Sequence, residues 1–93
     1  MRFTQNSRTY RITFKYVTLP DQRREATCII ETVDEKVRHT YSVGNSICAK
    51  GDQFCYETGR KVSLMRALEG EARPFRKAAW EAYHNRTLVA VAA

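Results

Sequence analysis

The segment TYRITFKYV, Thr9–Val17, carries the clearest structural pattern in the chain. Aromatic and aliphatic side chains alternate in it with polar and basic ones. One face of the segment carries Tyr10, Ile12, Phe14 and Tyr16. A period of two, built from β-branched and aromatic residues, predicts a strand with one buried face.

Two further segments are predicted to form strands. Ala26–Val33 is compact and β-branched, and Val37–Cys48 alternates again between apolar and polar residues. The connections contain turn residues and are short, so neighbouring strands are expected to pair antiparallel as a meander. Gly44 and Asn45 predict a bend or bulge near the end of the third strand.

The pattern then changes to a helical period. Asp52 is a suitable N-cap for a first helix, and Gly70 is a suitable stop. The predicted buried stripe of this helix is Phe54, Thr58, Val62, Met65 and Leu68, with Leu64 beside it. Glu57 and Lys61 are spaced as an exposed i,i+4 pair, acid first.

A second helix is predicted from Pro74 to Asn85 or Arg86, because proline is favoured in the first turn. Its apolar stripe is Phe75, Ala78, Ala79, Ala82 and Tyr83, with Trp80 at the border. The final segment TLVAVAA, residues 87–93, is β-prone and is expected to form either a short C-terminal strand or a docking tail.

Strands grouped before helices predict an α+β fold. We expect a three-stranded antiparallel meander followed by two helices packed on one face. The 93 residues are expected to form a single domain, 1–93. The aromatic face of the sheet exceeds what two short helices easily cover, so we also expect a homo-oligomer.

Composition excludes several classes of protein. The chain is 43% hydrophobic and 28% charged, which is typical of a globular domain. The apolar runs are too short to span a bilayer, and the N-terminus lacks the apolar core of a signal peptide. With 16 Lys and Arg against 10 Asp and Glu, the net charge of +6 favours an anionic partner.

Residues for catalysis or metal binding do not form a recognisable set. Cys28, Cys48 and Cys55 show no CxxC spacing, and His39 and His84 are isolated. Most acidic residues have a basic neighbour, as on a solvated surface. The sequence therefore predicts reduced thiols, no metal, no cofactor and no enzymatic activity.

Anion binding is the chemistry that the first helix suggests. Gly59 removes a side chain next to Arg60 and Lys61, and Tyr56 precedes Arg60 by one turn. Guanidinium groups bind phosphate through paired donors, and aromatic rings stack on bases. Gly59 has an equally good structural explanation, which is close packing of the helix on the sheet.

The block CAKGDQFCYETGRKVSLMRALEG, Cys48–Gly70, followed by FRKAAWEAY, resembles a pattern in small proteins of tailed bacteriophages. The same layout, a sheet followed by C-terminal helices, is similar to the first Thoeris anti-defence family. Proteins of that family sequester cyclic ADP-ribose signals, and some of them cyclic oligonucleotides, without cleaving them. They assemble as oligomers whose helical arginines and aromatic residues contact the ligand.

The resemblance implies Arg60 and Arg66 as phosphate contacts and Phe54 or Tyr56 as the stacking platform, with Gly59 and Lys61 beside them. It also implies a phage protein that works in the host cytoplasm. Two alternatives stay open: an inhibitor that docks directly on a host defence protein such as a CRISPR effector, and a small nucleic-acid-binding protein.

Overall fold

The structure, a computed structural model, describes residues 1–33, 38–48 and 56–92, and within them the side chains of all but residues 38 and 86–92. Four strands precede two helices along the chain. The strands are β1 (Arg2–Gln5), β2 (Arg8–Thr18), β3 (Arg24–Val33) and β4 (Arg38–Ile47), and the helices are α1 (Tyr56–Ala67) and α2 (Arg73–Ala92). The α+β class is confirmed, with four strands in place of the predicted three.

The additional strand, β1, is short and pairs with the start of β2, so that Phe3 lies opposite Tyr10. A two-residue turn joins the two strands, and both of its residues have positive φ, 52° for Asn6 and 66° for Ser7. Positive φ at both central positions is the geometry of the type I′ hairpin, whose usual sequence is Asn-Gly. Because the sequence here is Asn-Ser, the turn between β1 and β2 was not predicted.

The strands form one antiparallel sheet in the order β1-β2-β3-β4. The predicted meander is therefore confirmed. Its register is regular except for a bulge in β4, which lies opposite Ile30 and Glu31. The bulge turns both Tyr41 and Ser42 toward the helices, and it therefore breaks the predicted alternation of β4. The prediction placed the irregularity at Gly44, which instead continues the ladder opposite Cys28.

Both helices cover the same face of the sheet, and the core lies between the sheet and the helices. Strand residues of this core include Tyr10, Ile12 and Ile30, and helix residues include Leu64 and Tyr83. The Tyr10 ring packs edge to face on Phe75, with centroids 4.9 Å apart. The helices thus cover most of the aromatic face that the sequence left unaccounted for, and the opposite face of the sheet is the open one.

The backbone of helix α1 lies closer to the sheet than the predicted stripe of large apolar side chains would allow. Gly44 of β4 lies directly beneath it: a Cβ there would stand 2.9 Å from the Cα of Ala67 and closer still to the Ser63 carbonyl oxygen. Ser42 donates a hydrogen bond to the Ala67 carbonyl. Backbone approach at this distance requires small residues on both elements.

The buried face of α1 consequently differs from the predicted stripe. Its buried residues are Gly59, Ser63, Leu64 and Ala67. Positions 59, 63 and 67 recur every four residues and form a strip of small side chains. Of the predicted stripe, Leu68 is buried, but Thr58 and Met65 are exposed, Met65 by 51%. The predicted start at Asp52, together with Phe54, lies outside the described residues.

The ends of the helices agree in part with the sequence. Gly70 follows α1 with φ of 81°, so the predicted stop is confirmed. The predicted stripe of α2 is confirmed too, since Phe75, Ala79 and Tyr83 are buried. The predicted C-terminal strand is wrong, because α2 continues to Ala92. Alanine and leucine in this segment favour a helix enough to outweigh its valines.

Candidate ligand site

Two tyrosines from distant parts of the chain meet at one end of the sheet. Tyr16 lies near the end of β2, and Tyr56 is the first residue of α1. Their rings pack edge to face with centroids 4.8 Å apart and planes at 86°. Tyr16 is 37% exposed and Tyr56 is 47% exposed. The pair is therefore held in a fixed geometry while it presents aromatic surface to solvent.

Arg60 lies between α1 and this pair. Its guanidinium donates to a Glu57 carboxylate oxygen at 2.7 Å and to the Tyr16 hydroxyl at 3.3 Å. The hydrogen bond to Tyr16, followed by those to Glu57 and Tyr83, raises the pKa of Arg60 further above its ordinary value, although burial opposes the charge. The side chain is only 24% exposed. Arg60 is thus a fixed cation that ties α1 to β2.

Arg24 provides a second guanidinium at the same place. It begins β3 opposite Thr18, and it donates a hydrogen bond to the Tyr56 hydroxyl at 3.1 Å. Each tyrosine hydroxyl therefore accepts from one arginine. Five N–H donors on each guanidinium allow it to bind a ligand oxygen as well as a hydroxyl.

These side chains border a cleft with a volume of about 180 Å³. Its lining residues are Tyr16, Val17, Thr18, Arg24 and Tyr56. Arg60 and Lys61 add positive charge nearby, and Glu57 pairs with both, at 3.7 Å from the Lys61 ammonium. The cleft combines aromatic surface with guanidinium donors, which suits a flat ring that carries an anionic group.

The structure separates the residues that the sequence grouped together. Tyr56 lines the cleft, and Arg60 donates to the hydroxyl of the cleft residue Tyr16. Lys61 joins this cluster through its ion pair with Glu57. Gly59 is buried against the sheet and cannot touch a ligand. Arg66 follows Arg60 by six residues, about 9 Å along the axis and about 240° around it. Its guanidinium donates to the Asn45 carbonyl at 2.6 Å, on the edge strand β4.

Of the lining residues, Tyr56 was predicted as a site residue. Tyr16 and Arg24, which supply a ring and a guanidinium, were absent from the predicted site, as were Val17 and Thr18. Tyr16 belongs to the alternating face of β2, and only its position at the end of the strand distinguishes it from the core tyrosine at position 10. Arg24 comes close to Tyr56 because β3 begins opposite Thr18. A correct prediction of the register between β2 and β3 would have placed both residues at this end of the sheet.

A second and larger cleft lies at the opposite end of the sheet. It has a volume of about 400 Å³ and is lined by Ser7, Arg8, Thr9, Thr32, Val33 and His39. Hydroxyls and two basic side chains line it, and among its described lining residues there is no tyrosine, phenylalanine or tryptophan. The Tyr16–Tyr56 cleft is therefore the better match to the chemistry that the sequence suggested.

The buried thiol of Cys28 shows no sign of reactivity. Burial raises the pKa of Cys28 to about 12. Within the described ranges no three His, Cys, Asp or Glu side chains come together as a metal site. Trp80 stacks on His84, with ring centroids 5.8 Å apart.

We expect Cys28 to resist iodoacetamide at pH 8 in the folded protein and to react on unfolding, because the thiolate is the nucleophile. Its raised pKa also means that the thiol stabilises the fold below pH 9, the ordinary thiol value, and that this contribution is lost as the pH rises toward 12. Peptide mapping by mass spectrometry after labelling, with and without urea, measures the difference. Equal labelling of Cys28 in both conditions would contradict its burial.

Comparison with known proteins identifies no relative: no family model, no curated protein and no solved structure matches the chain. Among the described residues, neither helix is long and apolar enough to cross a membrane.

Proposed function

We propose that this chain is a non-enzymatic binding protein that takes a nucleotide at the Tyr16–Tyr56 cleft. The observation that carries the proposal is the pairing of two exposed tyrosine rings with the guanidiniums of Arg24 and Arg60. A nucleobase stacks on an exposed tyrosine ring, and a phosphate accepts hydrogen bonds from a guanidinium.

The arrangement favours binding over catalysis. General acid–base work requires a carboxylate or histidine that can exchange a proton with a substrate. Glu57, the carboxylate of this cluster, is paired with Arg60 at 2.7 Å and with Lys61 at 3.7 Å. Its role in the cluster is to hold two cations in place.

The small volume of the cleft favours a ligand site that is completed by a homo-oligomer. At about 180 Å³ it is smaller than the roughly 300–1,000 Å³ of typical small-molecule sites. One copy therefore offers a base-sized platform with adjacent cations, and a homo-oligomer would complete a site for a larger ligand. The resemblance to Thoeris anti-defence proteins implies a cyclic ADP-ribose signal or a cyclic oligonucleotide as that ligand. The protein would sequester it in the host cytoplasm during phage infection.

Thermal denaturation against a panel of cyclic ADP-ribose isomers and cyclic oligonucleotides tests the proposal. A ligand that binds only the folded state, at a hundred times its Kd, adds about 2.7 kcal/mol to stability. In a domain of this size each kcal/mol raises the Tm by roughly 4–8 °C. A panel that leaves the Tm unchanged throughout would overturn the proposal.

Tyr56→Ala should weaken binding of the ligand that the panel identifies by about 5- to 150-fold, because a stacked base contributes about 1–3 kcal/mol. Tyr56→Phe keeps the ring and loses the hydroxyl that accepts from Arg24, so it should retain most of the affinity. Arg76→Ala, on the exposed side of α2, is the charge control and should bind as wild type. Calorimetric titration of the three variants gives the comparison. Equal affinity for Tyr56→Ala and wild type would exclude the stacking role.

A further inference from the structure

The two edges of the sheet differ in how they are protected from pairing with a further strand. An edge strand carries a row of unpaired backbone N–H and C=O groups, which proteins shield with short strands, bulges, charged residues or proline. Strand β1, at one edge, has only 4 residues. Strand β4, at the other, has 10, and after its bulge the stretch from Ser42 to Ile47 contains no charged residue and no proline. Protection of the longer edge must therefore come from outside this stretch.

The register shows which backbone groups of β4 face away from β3. Cys48 continues the ladder opposite Arg24, and its amide donates to the Arg24 carbonyl, so these two residues form a hydrogen-bonded pair. Such pairs alternate along an antiparallel ladder with pairs that share no hydrogen bond. Toward the bulge, Ser46 and Gly44 therefore bond to β3 as well. The backbone groups that point outward at the edge are those of Val43, Asn45 and Ile47.

Arg66 of α1 occupies the middle of this outward row. Its guanidinium donates to the Asn45 carbonyl oxygen at 2.6 Å. Since nitrogen and oxygen are about 2.9 Å apart in the hydrogen bonds of a sheet, the Arg66 nitrogen stands where the N–H of an added strand would have to stand. No other group in the described part of the chain bonds to the outward groups of this row.

The position of Arg66 follows from the close approach of α1 to β4. Ser63 and Ala67 lie over Gly44. Arg66 precedes Ala67, and successive helical residues are about 100° apart, so its side chain leaves the helix beside the strand and reaches the edge. Arg66 is exposed, and among the described residues it forms no ion pair. The bond to the Asn45 carbonyl is therefore the contact that holds this guanidinium in place.

We propose that Arg66 closes the β4 edge against strand addition. An added strand must bond to the outward groups on both sides of Asn45 and to Asn45 itself, so it has to displace the guanidinium. The bond that it breaks is charge-assisted, and the neutral N–H that replaces the guanidinium makes a weaker one. This role differs from the phosphate contact that the resemblance implied for Arg66. It is also independent of the nucleotide proposal, because Arg66 is not among the residues that line the cleft.

Amide hydrogen exchange along β4, followed by NMR from micromolar to millimolar protein, tests the proposal. In the wild type the inward amides of Gly44 and Ser46 should be protected, and the three outward amides should exchange freely at every concentration. In Arg66→Ala the β4 edges of two copies are free to pair. The outward amides of this variant should become protected as the concentration rises. Pairing should be about tenfold stronger than in the wild type, the effect of one hydrogen bond to a charged group.

Two further variants separate the edge from other effects of the substitution. Arg76→Ala removes the same charge from the exposed side of α2 and should exchange as the wild type does. Asn45→Pro, added to Arg66→Ala, removes the outward N–H at the centre of the edge without breaking a bond to β3, and proline is tolerated at such positions. The double variant should return the amides of Val43 and Ile47 to free exchange.

Several results would overturn the proposal. Outward amides that are already protected in the wild type would mean that the edge is paired despite Arg66. Outward amides that stay unprotected in Arg66→Ala up to millimolar protein, or that become equally protected in Arg76→Ala, would remove Arg66 from this role. Protection that persists in the double variant would place the pairing on another surface. Loss of protection at Gly44 and Ser46 in Arg66→Ala would mean that Arg66 holds the fold instead of closing its edge.

Discussion

Gly44→Ala should lower the free energy of unfolding by about 3 kcal/mol, a large share of the roughly 5–14 kcal/mol expected for a domain of this length. The new methyl group would overlap the backbone of α1 at Ser63 and Ala67. Backbone cannot rotate away as a side chain can, so the helix must move off the sheet. Such a shift disturbs the Ser42 hydrogen bond to the Ala67 carbonyl and the burial of Leu64. Urea denaturation followed by circular dichroism measures the loss.

Gly70→Ala is the matched control for that substitution. Gly70 has a φ of 81°, and a Cβ there meets no other atom within 4 Å. Its replacement costs only the left-handed backbone strain, about 1–2 kcal/mol. If Gly44→Ala cost no more than Gly70→Ala, α1 would not lie as close to β4 as the structure places it.

Arg60→Ala should lower the free energy of unfolding by about 2 kcal/mol, whether or not a ligand is present. The variant loses a charge-assisted hydrogen bond to Glu57 and another to Tyr16. Hydrogen bonds to charged groups contribute about 1.5–3 kcal/mol when they are shielded from solvent, as this mostly buried guanidinium is. The same denaturation experiment measures the loss.

Lys61→Ala is the control, since Lys61 also pairs with Glu57 but at 3.7 Å and in a more exposed position. An exposed pair of this kind contributes well under 1 kcal/mol. Equal losses for Arg60→Ala and Lys61→Ala would mean that Arg60 does not fasten α1 to β2. Arg60→Ala therefore tests the fold, and Tyr56→Ala tests the ligand site.

The parts of the fold that the sequence predicted are those with a regular hydrophobic period. Alternation marked β2, a compact run of β-branched residues marked most of β3, and the spacing of Phe75, Ala79 and Tyr83 marked the buried face of α2. A period of two or of 3.6 residues arises directly from burial of one face, so it can be read without knowledge of tertiary structure.

The errors arose where small residues or distant pairing decide the structure. The face of α1 is set by Gly59, Ser63 and Ala67, and the last two lie opposite Gly44. A hydrophobic pattern gives little weight to small residues, so the prediction turned this helix toward Met65. Strand β1 was missed for a related reason, since four residues are too few to show a period.

The candidate site was predicted only in part, because some of its contacts are local in sequence and others join distant segments. Tyr56 and Arg60 are one helical turn apart, so local sequence brings them together. Tyr16 precedes Arg60 by 44 residues, and Arg24 precedes Tyr56 by 32. Such contacts depend on the register of β2 and β3 and on the position of α1, neither of which a local pattern specifies.

The most direct test of nucleotide binding at this cleft is an NMR titration of the ¹⁵N-labelled protein with the ligand panel. We expect the largest shift changes at Tyr16, Val17, Thr18, Arg24 and Tyr56, the residues that line the cleft. Amides on the exposed side of α2, such as those of Arg76 and Lys77, should stay in place. A spectrum that no member of the panel changes, or changes that cluster away from the cleft, would contradict the proposed site.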